Sequence, residues 1–265
     1  MIKHVGPTNR WDLVSRDDYH RDYLGHHTVV SSHIPKLQRY IACLVVRDPS
    51  GGEPIFDSMS EMYWPTAQDI RDAFMDDSWK TVRSDQPNLV GGRFMFLAEE
   101  DLVFDELPSD YDARPQEYDV VKYVALIVRK DGMTRDEFRS YWFDKHIPIA
   151  TKAPRLLRYR ACLTTQSFNG DNGVRKDPEP APWDGMIEMW FESMEGFDRS
   201  FHDPYWNEHE ALEDLPLLLR DEIEQFFSIY KDLEGKTVTI EGWLSLEEAT
   251  REIAAAQERL RQAGA

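Results

Sequence analysis

The stretch Asp131-Gly-Met-Thr-Arg-Asp-Glu-Phe-Arg-Ser-Tyr-Trp-Phe-Asp-Lys-His146-Ile-Pro148, followed by Arg158-Tyr-Arg-Ala-Cys-Leu163, decides the fold. Thr134 and Glu137 have the spacing of a capping box, in which each side chain takes up a free backbone N–H of the other's turn, so a helix is predicted to start there. Phe138, Tyr141, Trp142 and Ile149 give it an apolar stripe. Pro148 has no N–H to give and restricts Ile147, which predicts an end near Lys145–His146. His146 falls one helical step beyond Trp142 on the inward stripe, an unusual address for a polar ring.

The same stretch occurs twice. An offset of 119 lays Ser15–Leu44 on Thr134–Leu163 without a gap and matches ten of thirty positions, among them His27/His146, Arg39/Arg158, Tyr40/Tyr159 and Cys43/Cys162. An offset of 127 lays Asp57–Trp79 on Asp184–Trp206 and matches Asp57/Asp184, Met59/Met186, Glu61/Glu188, Met62/Met189, Phe74/Phe201, Asp76/Asp203 and Trp79/Trp206. The chain is an internal duplication whose period is too long for a solenoid.

With 49 acidic against 31 basic residues the formal charge is −18, which opposes phosphate backbones and anionic lipid, so nucleic acid and membrane are not expected partners. No run of 18 apolar residues and no signal-peptide core occurs, which points to the cytoplasm. Cys43 and Cys162 occupy equivalent positions, as one ancestral core residue seen twice, and neither has metal-ligand spacing.

In order, the first copy reads as a short, broken strand near Ile2–Pro7, a helix opened by Ser15 and Asp18, strands over Leu37–Arg47 and Met59–Trp64, a helix from Thr66, and a strand near Phe94–Ala98. This is the β-α-β-β-α-β order of a ferredoxin-like unit. The second copy repeats it: a strand over Val120–Val128, a helix to His146, strands over Leu156–Thr165 and Met186–Phe191, an interrupted helical run over Met194–Phe227, and a strand near Phe227–Tyr230. The predicted organisation is a first repeat over residues 1–107, a linker over 108–118, a second repeat over 119–232, and an extension over 233–265 with a strand at Lys236–Ile240 and a helix opened by Ser245 and Glu248. That tail is expected to cover a sheet edge or a subunit contact, which leaves a homodimer open.

Gly132-Met-Thr134, Phe138, Tyr141-Trp142, His146, Pro148, Arg158-Tyr159 and Asp184-Gly-Met-Ile-Glu-Met-Trp-Phe191 together resemble the EthD family of the dimeric α+β barrel superfamily. The resemblance covers residues 119–230 well and 12–105 as a weaker second copy. It implies an α+β fold in which two ferredoxin-like units set their sheets face to face, here as an intramolecular barrel from one chain. Its members are mostly encoded with catabolic pathways for aromatics or ethers. The wider superfamily includes cofactor-free muconolactone isomerases, polyketide cyclases, small monooxygenases and haem enzymes, and fold alone does not choose among them.

His146 matches the family's histidine after the Tyr-Trp pair, and His27 is its image. Imidazole titrates near neutral pH and can take and return a proton, but at a helix end it can equally satisfy last-turn carbonyls. Glu188, mid-strand, could serve as a base or orient a histidine; the alternative is an ion pair with Arg158, as for Glu61 with Arg39. His202, Trp206 and His209 belong to the second copy alone, although Pro204 interrupts any helical metal set. Tyr23, Tyr40, Tyr141, Trp142, Tyr159 and Trp190, with His26, would give a pocket flat apolar walls with polar handles, or would simply be core. No nucleotide-binding, zinc or serine-hydrolase motif is present. The expectation is an enzyme of aromatic catabolism with no cofactor and no metal. It would act as an isomerase or lyase by histidine-mediated proton transfer on a small hydrophobic or aromatic substrate, with the second copy holding the working pocket. The alternatives are a cofactor-free monooxygenase and a non-catalytic binding protein.

Overall fold

The computed structural model describes residues 1–49, 51–93, 95–168, 183–208 and 219–234. The first repeat comprises β1 (Ile2–Arg10), α1 (Arg16–Asp22), a π-helical turn (Tyr23–His27), α2 (Thr28–Ser32), β2 (Arg39–Arg47), β3 (Ser58–Trp64), α3 (Ala67–Met75), α4 (Asp77–Leu89), β4 (Val90–Arg93) and β5 (Met95–Asp105). The second comprises β6 (Val121–Arg129), α5 (Arg135–Tyr141), a π-helical turn (Trp142–His146), α6 (Ile147–Ala150), β7 (Leu156–Phe168), β8 (Gly185–Phe191), α7 (Met194–Phe201), α8 (Pro204–Glu208) and β9 (Leu219–Glu234).

The strands form one sheet in the order β3-β2-β9-β6-β8-β7-β5-β1, and β1 pairs back onto β3, so the sheet closes into a barrel with β4 attached to the end of β1. Two junctions join the repeats: β2 pairs with β9 from Arg39↔Glu234 to Arg47↔Phe227, and β5 pairs with β7 from Met95↔Phe168 to Asp105↔Arg158. Each repeat lends its last long strand to the other, so neither closes alone. The fold is the intramolecular dimeric α+β barrel, and closure removes the exposed edges that an open ferredoxin-like sheet would carry.

Side chains alternate across the strands, and in β2, β3, β6 and β8 both faces are largely buried. Tyr40, Ala42 and Leu44 of β2 pack outward with Tyr19, Tyr23 and Phe74 under the first pair of helical layers. Tyr159 and Ala161 of β7 do the same with Phe138, Trp142 and Phe197. Ile41, Cys43, Met59, Cys162, Met186 and Trp190 point into the barrel.

Ser15 accepts the N–H of Asp18, and Thr134 and Glu137 form both halves of the capping box, as the spacings predicted. The helix does not end at His146. It passes through the π-helical turn, in which the Ile147 N–H reaches the carbonyl of Trp142, and runs on to Ala150 with Pro148 in the first turn of α6. The wider turn accommodates the proline ring, which would clash with a carbonyl four residues back in a regular helix. The first strand is not degraded either: β1 is nine residues long, as is β6. Pro7 is tolerated because it lies where β1 changes partner from β5 (Lys3–Val5) to β4 (Thr8–Arg10). The expected helical run to Phe227 gives way to a strand already at Leu219. The connecting segment is structured, with short helical turns at Tyr111–Ala113 and Pro115–Glu117 and a buried Tyr111. Of the extension expected over residues 233–265, residues 233–234 end β9 and residues 235–265 lie outside the described residues. No described helix is long and apolar enough to cross a membrane.

Candidate functional site

The sheet divides the residues expected to act together. His146 and His27 belong to the helical layer, whereas Glu188 lies on the inward face of β8 with Met186 and Trp190. The histidine–carboxylate pair that the sequence suggested is therefore not formed, and each compartment has its own chemistry.

Inside the barrel, the fully buried Lys3 and Lys122 meet the fully buried Glu61 and Glu188. Lys3 Nζ lies 2.6 Å from Glu188 and 2.8 Å from Glu61. Lys122 Nζ lies 3.1 Å from Glu188, makes a short contact with Glu61, and is 3.2 Å from Cys43 Sγ. Arg160 and Glu100 extend the network at 3.6 Å from one another. Glu188 thus pairs with two lysines rather than with Arg158, which instead holds Asp105 and Asp112. Arg39 likewise turns to Asp112 and not to Glu61. Burial works to raise the Glu61 pKa, but the ammonium groups of Lys122 and Lys3 outweigh it and hold the carboxyl well below its ordinary range. Burial pushes the Cys43 and Cys162 thiols up, which makes them poor nucleophiles. Glu100, Cys162 and Glu188 converge as metal ligands would, but Lys3 Nζ is 3.5 Å from Glu100 and 2.6 Å from Glu188, so an ammonium occupies the cation's place. The four lysine and glutamate charges pair among themselves, while Arg160 Nε is buried without a hydrogen-bond partner among the described residues.

On the helix side, the first repeat has a partly open cavity of about 30 Å³ between helices and sheet, lined by Gly6, Thr8, His27, Ser31, Tyr40, Ser60, Met62, Trp79, Val82, Val90 and Met95. His27, from the π-helical turn, stacks on Tyr23 at 5.5 Å, and Tyr23 stacks on Tyr19 at 5.7 Å. The Tyr19 hydroxyl is 2.6 Å from Ser58 Oγ. Tyr40 rises from β2 into the cavity, and burial pushes its pKa up to about 12, against the opposing pull of Tyr23, Ser31 and Ser60. It is a neutral hydrogen-bond donor at any physiological pH.

The two offsets put Ala125, Ile127, Ala150 and Ile187 where the first repeat has Gly6, Thr8, Ser31 and Ser60. Trp142 replaces Tyr23, donates to the Tyr159 hydroxyl at 3.1 Å, and covers Gly185, on which a Cβ would sit 2.6 Å from the indole ring. At these positions the first copy is the more polar, whereas the image of the lining residue Val82 is His209, which lies outside the described residues.

The remaining predicted residues scatter. His146 is buried, Trp142 and Tyr159 are core, and Trp190 lies in the barrel with Lys122 and Arg160 over its ring at 5.5 and 5.1 Å. Tyr141 borders an open surface groove of about 570 Å³ with Lys130, Asp144 and Lys145, which is larger than the cavity but collects no convergent chemistry. His26 is half-buried on the π-helical turn. His202 is exposed, its Nδ1 2.6 Å from the Asp198 carbonyl, and Trp206 packs on Phe201 at 5.4 Å. His209 lies outside the described residues. The reading of the sequence missed Lys3 and Lys122, although the 119 offset carried upstream of Ser15 aligns Lys3/Lys122, Val5/Val124, Arg10/Arg129 and Asp12/Asp131.

Among solved structures, an anthrone oxidase-like protein superposes with a TM-score of 0.62 at 8% identity over 90% of this chain and 96% of its own, a likeness of fold alone. An EthD family protein from Bacillus halodurans is 17% identical over 41% of this chain and 95% of its own, with a TM-score of 0.31. A short segment is 52% identical over 50 residues to the inorganic pyrophosphatase of Leifsonia xyli subsp. xyli; it amounts to 18% of this chain, which spans only 31% of that enzyme. The family model described as EthD domain matches residues 12–93 and 130–237, one segment in each repeat. A closed barrel made of two ferredoxin-like repeats, each with its own segment of that model, means that the chain belongs to the EthD family.

Proposed function

We propose that the first-repeat cavity is the working site of a cofactor-independent enzyme of aromatic-compound catabolism, an isomerase or lyase that moves protons on a small hydrophobic or aromatic carbonyl compound. The observation that carries the reading is that His27 and Tyr40 come from different layers, helix and strand, to line one partly open cavity. His27 would take a proton from a carbon next to the carbonyl, and the neutral Tyr40 hydroxyl would donate to the oxygen on which negative charge develops. Stacking on Tyr23 fixes the imidazole plane, which favours a positioned base over a mobile surface histidine. Met62, Trp79, Val82 and Met95 supply the apolar part of the wall. Among the described residues no lysine or arginine lines it, which offers a pyrophosphate anion no counter-charge.

The test is deuterium uptake from D2O at the acidic carbon of β-tetralone. The wild type should accelerate uptake, and His27→Gln should lose roughly 10²–10⁴ of that acceleration. Saturable binding without exchange would support the binding-protein reading. Oxygen consumption with an anthrone would support the monooxygenase reading, in line with the name of the anthrone oxidase-like structure of the same fold.

A further inference from the structure

The outward face of β1 carries His4, Gly6 and Thr8 in alternation; Gly6 and Thr8 line the cavity, and His4 is fully buried beside them. Strand register places His4 opposite Met62, and Met62 opposite Tyr40, so one row across the sheet reads Tyr40, Met62, His4. The next row reads Ala42, Ser60, Gly6. Gly6 has no side chain, so the position next to His4 on its own strand, about 7 Å along, is bare. The His4 ring lies edge-on to Phe74 at 5.5 Å, and Phe74 meets the cavity-wall residue Trp79 at 4.1 Å. In the second repeat the corresponding strand positions are Tyr123, Ala125 and Ile127, with Tyr123 stacked on Phe197 at 5.4 Å. A second imidazole therefore stands beside the polar lining of the first copy.

A cavity of about 30 Å³ holds roughly one or two waters, so any carbon substrate must push side chains aside. Met62 has a flexible side chain that can yield, and His4 is its neighbour across the strand pair. We infer that the substrate-filled cavity extends across Gly6 to His4, which acts as a second proton-transfer group opposite His27. The inference rests on the reading of this cavity as the working site.

With a β,γ-unsaturated ketone the step balances without an oxidant. His27 removes a proton from the carbon between carbonyl and alkene, and the C–H electron pair becomes part of a dienolate whose oxygen accepts a hydrogen bond from Tyr40. His4, entering as imidazolium, gives a proton to the γ-carbon; the distal double bond supplies the pair for the new C–H bond, and the oxygen regains its C=O. The product is the conjugated isomer, His27 ends protonated, His4 ends neutral, and exchange with solvent resets both.

The test follows the imidazole resonances of the intact protein while a β,γ-unsaturated cyclohexenone is added, with His4→Gln and His27→Gln identifying the signals. Both imidazoles should move with one saturation curve, and His4→Gln should keep deuterium uptake at the α-carbon while losing conversion to the conjugated ketone by roughly 10²-fold. Movement of His27 alone would overturn the role of His4 and leave the cavity reading standing. Movement of neither would overturn both. Undiminished conversion by His4→Gln, or exchange without conversion in the wild type, would also overturn it. Should His4→Gln fail to fold, the titration of the wild type with His27→Gln still decides.

Discussion

Lys3, in the first strand of the first repeat, lies 2.6 Å from Glu188, in the third strand of the second, with both side chains fully buried. The image of this pair under the duplication is Lys122 with Glu61, which is also in contact and buried. Each lysine touches both carboxylates, so the network is shared between the repeats and is complete only when the barrel is closed. Hydrophobic burial does not distinguish correct closure from a slipped one, but a four-charge cluster that balances only in one register does.

Removing one member should be costly. Lys3→Met leaves two buried carboxylates facing one lysine and is expected to lower stability by about 3–5 kcal/mol. Lys3→Met with Glu188→Leu restores charge balance as Lys122–Glu61 and should be less destabilised than the single variant. Urea denaturation of the three proteins checks this; an additive double mutant would contradict it.

The same cluster sets a pH window. Glu61 and Glu100 have folded pKa values below the ordinary 4.5, so the unfolded chain binds their protons more readily, and stability is lost as pH falls below about 4.5 through the depressed values. Lys3 is held above its ordinary 10.5, so its contribution is present below that pH and is lost as pH rises through the raised value. Melting temperature against pH should show a plateau between these limits, and Glu61→Gln should flatten its acid edge.

Gly185→Ala should destabilise by about 1–3 kcal/mol, because a Cβ there would lie 2.6 Å from Trp142 Cζ3 and a buried indole has little room to move. Gly25→Ala meets nothing within 4 Å in a helical stretch and should be neutral or slightly stabilising. Thermal melts of the two variants against the wild type make the comparison.

His27→Ala and His146→Ala should part company. Both sit at the end of a π-helical turn, so a purely structural role predicts equal losses of melting temperature and little else. The cavity predicts that His27→Ala alone abolishes ligand-induced shifts and proton exchange. A functional loss confined to His146→Ala would move the working site to the second repeat.

The sequence by itself determined the duplication, the ferredoxin-like order of elements and the helix starts at Ser15 and Thr134. These are local features: capping needs residues three apart, and strand alternation needs only neighbours. It also held Lys3/Lys122 in plain alignment, hidden because Gly6 and Pro7 make β1 read as broken. What only the tertiary structure decided is which side of the sheet each candidate serves. Alternation says that Glu188 and Met189 face opposite ways, but when both faces are buried it cannot say which faces a helix and which a barrel. The partners of Glu188 come from strands up to 185 positions away, and the contrast between a polar cavity over Gly6 and an indole over Gly185 emerges only when each repeat is packed under its own helices.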